Sequence, residues 1–192
     1  MNETNITGGY RYANDISSLQ WRLEVFSRTK KKDEEMGMEI ERKFLVNKDL
    51  WRPKSKGHLY RQGYLSEVKE RVVRVRVAVD KGFLTVKGVT EGFSRLEFEY
   101  EIPIEDAHQM LDTLCETPLI EKNRYKEEHE GMLWEIDVFL GENEGLVLAE
   151  VELKRETGQF SLPAWIDKEV SEDPRYFNVN LAKNPFRQWH HS

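Results

Sequence analysis

Cys115 is the sole cysteine among 192 residues, so no disulfide can staple the fold, and a reducing cytoplasm is the expected setting. It falls in a helical pattern and reads as a buried, inert thiol rather than a nucleophile. No apolar run reaches the roughly 18 to 20 residues of a membrane span. The N-terminus lacks the basic-then-apolar order of a secretory signal. No glycine-rich P-loop and no Gly-x-Gly-x-x-Gly follows a strand, which removes the usual backbone cradles for phosphate. Serine and cysteine lack a nucleophile-elbow context. His58, His108, His129, His190 and His191 show no zinc spacing, and the pair His190-His191 reads as solvent-exposed. A net charge of -6 argues against a protein that coats nucleic acid, so neither membrane nor nucleic-acid partners are expected. These absences leave a globular chain whose length fits one domain with a tail.

Residues 1–37 differ from the rest. They hold a polar start, a short amphipathic helix predicted around Ile16 to Phe26, and the charge run Lys30-Lys31-Lys32-Asp33-Glu34-Glu35, which reads as a solvated linker. A flexible, dispensable extension is expected there, followed by a domain over 38–192 that includes a C-terminal helical tail. From Met38 onward the pattern is period two. Glu39, Glu41, Lys43 and Leu45 alternate with Ile40, Phe44 and Val46; a second segment spans His58 to Ser66. Arg74, Arg76 and Ala78 alternate with Val73, Val75, Val77 and Val79, and Asp80-Lys81-Gly82 turns into Phe83 to Lys87. Arg95, Glu97, Glu99 and Glu101 alternate with Leu96, Phe98, Tyr100 and Ile102. Further segments carry Lys122 and Arg124, then Glu135, Asp137 and Phe139, then Leu148, Glu150, Glu152 and Lys154. About eight such segments separated by turn residues predict an antiparallel barrel or sandwich. Glu105 to Glu116 has helical spacing (Ala107, Met110, Leu111, Leu114), stopped by Pro118. After Gly158, Pro163, Pro174 and Pro185 limit helix length, and Phe160, Trp165, Tyr176, Phe177, Phe186 and Trp189 are expected to pack on the barrel.

The charged faces carry the chemistry. Same-sign pairs recur two residues apart: Glu39/Glu41, Arg74/Arg76, Glu97/Glu99, Lys122/Arg124, Glu135/Asp137 and Glu150/Glu152. On a strand, such pairs share one face about 7 Å apart. Any one strand reads most simply as a solvated face, but like charges at that spacing repel, and a surface selected for solubility interleaves signs. Paired carboxylates suit a hard divalent cation, and paired Arg and Lys suit phosphate oxygens. Both kinds on one barrel suggest acids holding metals and bases holding a polyanion within one polar interior.

Glu39-Ile40-Glu41-Arg42-Lys43-Phe44-Leu45-Val46 on a first strand resembles the signature of the CYTH domain, the triphosphate tunnel metalloenzymes. The resemblance continues in order through Arg61-Gln62-Gly63-Tyr64-Leu65, Arg74-x-Arg76, Thr85-Val86-Lys87, Ser94 to Glu99, Glu121 to Tyr125, Trp134 to Phe139 and Ala149 to Leu153. It reaches Pro163-Ala164-Trp165 and Glu169 to Tyr176, so it spans about 38–182 and is similar to the small bacterial branch. Phe177 stands where that branch suggests a basic residue.

The resemblance implies a closed eight-stranded antiparallel β-barrel, a tunnel, with flanking helices. It also implies metal-dependent hydrolysis of inorganic triphosphate to pyrophosphate and phosphate. The rival readings are a class IV adenylyl cyclase, a thiamine or nucleoside triphosphatase, or a non-enzymatic polyphosphate-binding module. Carried over by residue, Glu39, Glu41, Glu150 and Glu152 are the expected ligands of Mg2+ or Mn2+. Lys43, Arg74, Arg76, Lys87, Lys122 and Arg124 are the expected phosphate clamps, Lys43 or Lys122 the proton donor to the leaving group, and Glu97, Glu99 and Asp137 supporting residues.

Overall fold

Alternation of charged and apolar residues makes strands here because each strand can bury its apolar face outward, under covering segments, and its charged face inward. The computed structural model describes residues 38–91, 94–155 and 158–189. The segment Ile16 to Phe26, the run Lys30 to Glu35 and the pair His190-His191 lie outside the described residues.

Eight strands run β1 Met38–Val46, β2 His58–Ser66, β3 Val72–Ala78, β4 Lys81–Glu91, β5 Ser94–Ile102, β6 Ile120–His129, β7 Met132–Phe139 and β8 Val147–Glu152. They close antiparallel in the order β1-β5-β4-β3-β2-β6-β7-β8-β1, which removes free sheet edges at both ends of the series. β1 is the closing strand. One of its edges pairs with β8 from Glu41↔Glu152 to Leu45↔Leu148. The other edge pairs first with β5, from Met38↔Leu96 to Ile40↔Ser94, and then with a ninth strand, β9 Ile166–Glu169. Between them, Lys43 N donates to Ser171 Oγ at 2.8 Å and Val170 N donates to Lys43 O at 2.8 Å. β9 has only four residues, too short for periodicity to reveal.

Helix α1, Ile104–Thr113, covers the outer face of β3: Val75 and Val77 pack against Ala107 and Leu111. The segment that follows the helix lies so close to β2 that a Cβ on Gly63 would stand 2.7 Å from both Cys115 Cβ and Leu119 Cδ2. That is the packing reason for glycine in Arg61-Gln62-Gly63-Tyr64. On the opposite side, Phe44, Trp134, Ile136, Ala149 and Val151 pack with Trp165 and Phe160 of the tail. Trp134 meets Trp165 edge-on at 5.7 Å between centroids.

A third cluster lies inside. Leu45, Tyr64, Val72, Ile120, Phe139 and Leu148 hold register positions that face the lumen, and they pack with Val170, Tyr176, Leu181 and Ala182. The tail, with helix α2 Asn178–Lys183, therefore closes one end of the barrel with apolar side chains. Five of the six tail aromatics expected to pack on the barrel do so: Phe160 and Trp165 belong to the outer cluster, and Tyr176, Phe186 and Trp189 to the closing one, whereas Phe177 belongs to neither.

Two hairpins differ in quality. Glu130 and Gly131 both have positive φ (47 and 78), as a tight two-residue turn between β6 and β7 demands. Between β3 and β4 the turn falls at Val79-Asp80, earlier than Asp80-Lys81-Gly82, because Ala78 pairs with Lys81. Val79, a β-branched residue, is left there at φ 59.

Candidate active site

Inward register collects the charged side chains onto one surface. β1 supplies Glu39, Glu41 and Lys43; β3 supplies Arg74 and Arg76; β4 supplies Thr85 and Lys87. β5 supplies Arg95, Glu97 and Glu99; β6 Lys122 and Arg124; β7 Glu135 and Asp137; β8 Glu150 and Glu152. Burial follows: Lys43, Arg74, Lys87, Lys122, Arg124, Asp137 and Glu150 are all buried. Charged groups so enclosed persist only when paired, and the pairs are specific.

On the β6–β7–β8–β1 side, Arg124 donates to Asp137 Oδ1 at 2.7 Å and Oδ2 at 2.6 Å, to Glu150 Oε2 at 2.7 Å, and to Glu135. Lys122 donates to Asp137 Oδ2 at 2.5 Å, and Lys43 to Glu150 and to Glu41, the latter at 3.0 Å. Burial resists charge on Glu150, but Lys43, Lys122 and Arg124 outweigh it and hold the carboxyl well below the usual range. Burial likewise pulls Lys43 down, and Glu150 and Glu41 overcome it, so Lys43 keeps its proton above the ordinary lysine range. Lys122 goes the other way: burial and neighbouring Arg124 lower it despite Asp137.

On the β3–β4–β5 side, Arg74 donates to Glu99 Oε2 and Thr85 Oγ1, each at 3.1 Å, and Arg76 donates to both Glu99 oxygens at 2.8 and 2.9 Å. Lys87 donates to Glu97 at 2.5 Å and lies 3.7 Å from Glu39, to which Arg95 Nε donates at 2.7 Å. Burial, then Arg74, push Lys87 down to about 8. Glu97 is drawn down to about 2, against its burial, by Glu39, Lys87 and Arg74. Two donors are left over: Arg74 Nε and Arg76 Nε are buried and have no hydrogen-bond partner. A buried guanidinium with an unspent N–H is primed for an incoming anion.

Glu152 is the acid without a cation. No hydrogen bond or ion pair reaches it among the described residues, and burial, then Glu39, Glu41, Glu135 and Glu97, raise its pKa. Among the described residues no three His, Cys, Asp or Glu side chains are drawn together as a finished metal cage. Glu39 and Glu41 lean on Arg95 and Lys43 instead.

A family model for the CYTH domain matches residues 37–184. The chain belongs to the CYTH family. Its relatives include a protein of Acetivibrio thermocellus named inorganic triphosphatase, 57% identical over 154 residues, covering 80% of this chain and 99% of that one. An inorganic triphosphatase of Nitrosomonas europaea is 39% identical over 150 residues, covering 75% and 96%. A crystal structure of an inorganic triphosphatase matches with a TM-score of 0.56 at 34% identity, covering 74% of this chain and 96% of that chain. CYTH triphosphatases are in general metal-dependent. No helix among the described residues is long and apolar enough to cross a membrane.

Every residue expected from the sequence to bind metal or phosphate lies on the lumen surface. Several lumen residues were not expected. Arg95, on the same strand face as Glu97, was legible from parity alone. Thr85, Gln62 and Tyr64 stand in the motif segments of the resemblance, but they carry no charge, and charge pairing assigned them no role. Tyr60 places its ring 5.5 Å from the Arg76 guanidinium and 5.3 Å from that of Arg124. Arg61, by contrast, points outward to Glu121 at 3.0 Å, which accounts for a charged motif residue with no place in the lumen. Cys115 is half-buried, its thiol pushed up to about 11 by burial and Glu116, as an inert packing residue should be.

Proposed function

We propose that this protein hydrolyses inorganic triphosphate in the barrel lumen: water adds to a terminal phosphorus, a phosphoanhydride bond breaks, and orthophosphate and pyrophosphate leave. The carrying observation is a closed lumen that sets two basic pairs, Arg74/Arg76 and Lys122/Arg124, across from a group of carboxylates containing the unpaired Glu152. Kinship at 57% identity to an inorganic triphosphatase over nearly its full length supports the choice of substrate.

The unpaired Glu152 also supplies the test of fit for a metal. A carboxyl crowded by Glu39 and Glu41 with no cation of its own suits a hard divalent ion, and the oxygen-only donor set suits Mg2+ or Mn2+. Glu39, Glu41 and Glu152 would hold it, with Glu150, already bound to Lys43 and Arg124, behind them. When bound, such an ion polarises phosphoryl oxygens and activates water.

The chain's own groups do the rest. Arg74 and Arg76 offer their free Nε–H groups to phosphate oxygens, and Glu99 fixes both guanidinium planes. Lys43, Lys87 and Arg124 offset the charge that grows on the leaving pyrophosphate. Lys122, whose proton is loosened by burial and Arg124, is better placed than Lys43 to protonate that leaving group. The apolar end formed by Ile120, Phe139 and Leu148 excludes water from the far side of the site. The cytoplasm, where polyphosphates meet reduced thiols, fits the chain's lone cysteine.

The test is a phosphate-release screen over tripolyphosphate, pyrophosphate, ATP, GTP and thiamine triphosphate with Mg2+ or Mn2+. Tripolyphosphate should give the highest kcat/KM. A higher value on a nucleotide, or cyclic AMP formed from ATP, would overturn the proposal.

A further inference from the structure

Arg76 on β3 and Arg124 on β6 belong to different basic pairs on strands that do not touch each other; β2 runs between them. Two guanidinium groups brought together on one partly buried surface repel, and the lowered proton affinity of Arg76 reflects burial and then Arg74 and Arg124. Something must hold them at the lumen surface before a polyanion arrives. The carboxylates do so only from one side each: Glu99 for Arg76, and Asp137, Glu135 and Glu150 for Arg124.

Tyr60 of β2 lies between. Its register partners are Ala78 on β3 and Lys122 on β6, so its ring projects into the lumen at the seam between the two basic strands. The ring centre stands 5.5 Å from the guanidinium carbon of Arg76 and 5.3 Å from that of Arg124, and Phe83 backs Arg76 from β4 at 5.2 Å. An aromatic ring is polarised with its negative density on the faces, and at these distances it attracts a cation without using any of its N–H donors. That distinction matters here. A carboxylate in the same position would neutralise the arginines and consume the donors a phosphate needs. The ring makes no such claim: Arg76 Nε remains buried and unbonded, and Arg124, whose nitrogens already donate to Asp137, Glu135 and Glu150, keeps its charge toward the ring without a further neutralising partner.

We infer that Tyr60 is a positioning residue of the site, a shared aromatic anchor that holds Arg76 and Arg124 in place so that one polyphosphate chain engages both. It sets preference for a substrate long enough to span the two strands, because a shorter anion reaches one arginine and gains nothing from the coupling. This inference rests on the triphosphate reading above. The aromatic character of position 60 is its content; the phenol hydroxyl has no part in it.

The experiment compares Tyr60→Phe, Tyr60→Leu and phenylalanines of rising fluorine count installed at position 60, which drain the ring's negative face while keeping its shape. KM and kcat are read for tripolyphosphate and pyrophosphate, and binding of tripolyphosphate without metal is read by calorimetry. Tyr60→Phe should restore wild-type behaviour within about twofold. Tyr60→Leu should raise KM for tripolyphosphate about tenfold, the worth of a desolvated cation–π contact, with a smaller change for pyrophosphate. KM and metal-free Kd should climb stepwise with fluorination. A Tyr60→Leu protein of unchanged KM, a fluorine series with no trend, or a Tyr60→Phe protein as impaired as Tyr60→Leu overturns the inference. Should Tyr60→Leu not fold, the fluorine series decides alone. Failure of the wild type to hydrolyse tripolyphosphate would sink the functional reading, while the metal-free binding series still decides the role of Tyr60.

Discussion

Lys43 and Glu150 are direct register partners across β1 and β8, and the second oxygen of Glu150 accepts from Arg124 Nη2 at 2.7 Å. One carboxylate thus holds two buried cations from different strands. Removing its charge leaves Lys43 with Glu41 alone and takes one of three carboxylates from Arg124, and breaking a buried pair from one side costs roughly 3 kcal/mol. Glu150→Gln should therefore lower the melting temperature by about 6 to 12 °C for a domain of this size, measured by thermal denaturation without metal. An unchanged melting temperature would mean that the pair is solvated and that Glu150 is free to serve chiefly as a metal ligand.

Glu152, two residues on, should behave in the opposite way. Its pKa is raised, so its charged form is disfavoured in the folded state and destabilises at neutral pH; protonation as pH falls relieves the strain. Because Glu152 is exposed at the end of its strand and water screens its neighbours' charges, Glu152→Gln should leave the metal-free melting temperature unchanged or slightly raised, never lowered, and should cut kcat/KM by orders of magnitude. Mg2+ or Mn2+ should raise the melting temperature of the wild type, since a ligand that binds only the native state stabilises it, and should do so much less in Glu152→Gln. Equal metal-induced shifts in the two proteins would remove Glu152 from the ligand set.

These two glutamates show what the sequence could and could not tell. Period-two alternation places both on one face of one strand, and the pairing of like charges marks that face as an interior. The count of about eight strands was legible for the same reason, because segments from Met38 to Glu152 carry their own parity; parity alone fits a sandwich as well as a barrel, and closure was an expectation from the CYTH resemblance. Which glutamate neutralises Lys43 and which lacks a cation depends on the stagger of β8 against β1 and β7, a long-range register that no local pattern records. Tyr60 stayed hidden because an aromatic residue on a strand reads as core. β9 stayed hidden because four residues hold no period. Arg61 looked like its motif neighbours, and only the parity of β2 sends it outward.

Acid should unfold the barrel in a defined window. Glu97 is held down to about 2, and Glu99 and Glu150 are also held below the ordinary carboxylate range. A depressed folded-state pKa gives stability that is full above the unfolded value of about 4.5 and is lost as pH falls toward the folded one. Denaturant midpoints should hold steady from about pH 7 to pH 5 and drop steeply between about pH 4.5 and 2. Glu97→Gln should flatten that drop. A flat profile down to pH 2.5 in the wild type would show that these carboxylates have no linked stability.

Val79 offers a stabilising change far from the lumen. It sits at φ 59 in the β3–β4 turn and is 60% exposed, so its side chain pays conformational strain with little packing in return. Val79→Gly removes the strain and adds unfolded-state entropy, and Val79→Asn removes most of the strain without that entropy. Val79→Asn should gain about 1 kcal/mol, seen as a melting temperature roughly 2 to 4 °C higher with unchanged activity. A loss of stability would place the true turn elsewhere.

The arginine pair on β3 should read the number of phosphates in the substrate. The outward faces of Val75 and Val77 are sealed under α1 by Ala107 and Leu111, which fixes Arg74 and Arg76 toward the lumen. Each has a buried Nε–H without a partner, so an anion can gain a charge-assisted bond without breaking one already made. Such a bond is worth about 1.5 to 3 kcal/mol, or roughly tenfold to a hundredfold in kcat/KM. A triphosphate can span from this pair to Lys122 and Arg124, whereas pyrophosphate engages fewer donors. Arg76→Ala should therefore lower kcat/KM for tripolyphosphate by about tenfold to a hundredfold and narrow the preference over pyrophosphate, while Lys→Ala changes at Lys30, Lys31 and Lys32 leave both unchanged. Equal losses on the two substrates would assign Arg76 to general charge balance, and no loss on either would place the arginine pair outside the substrate's reach.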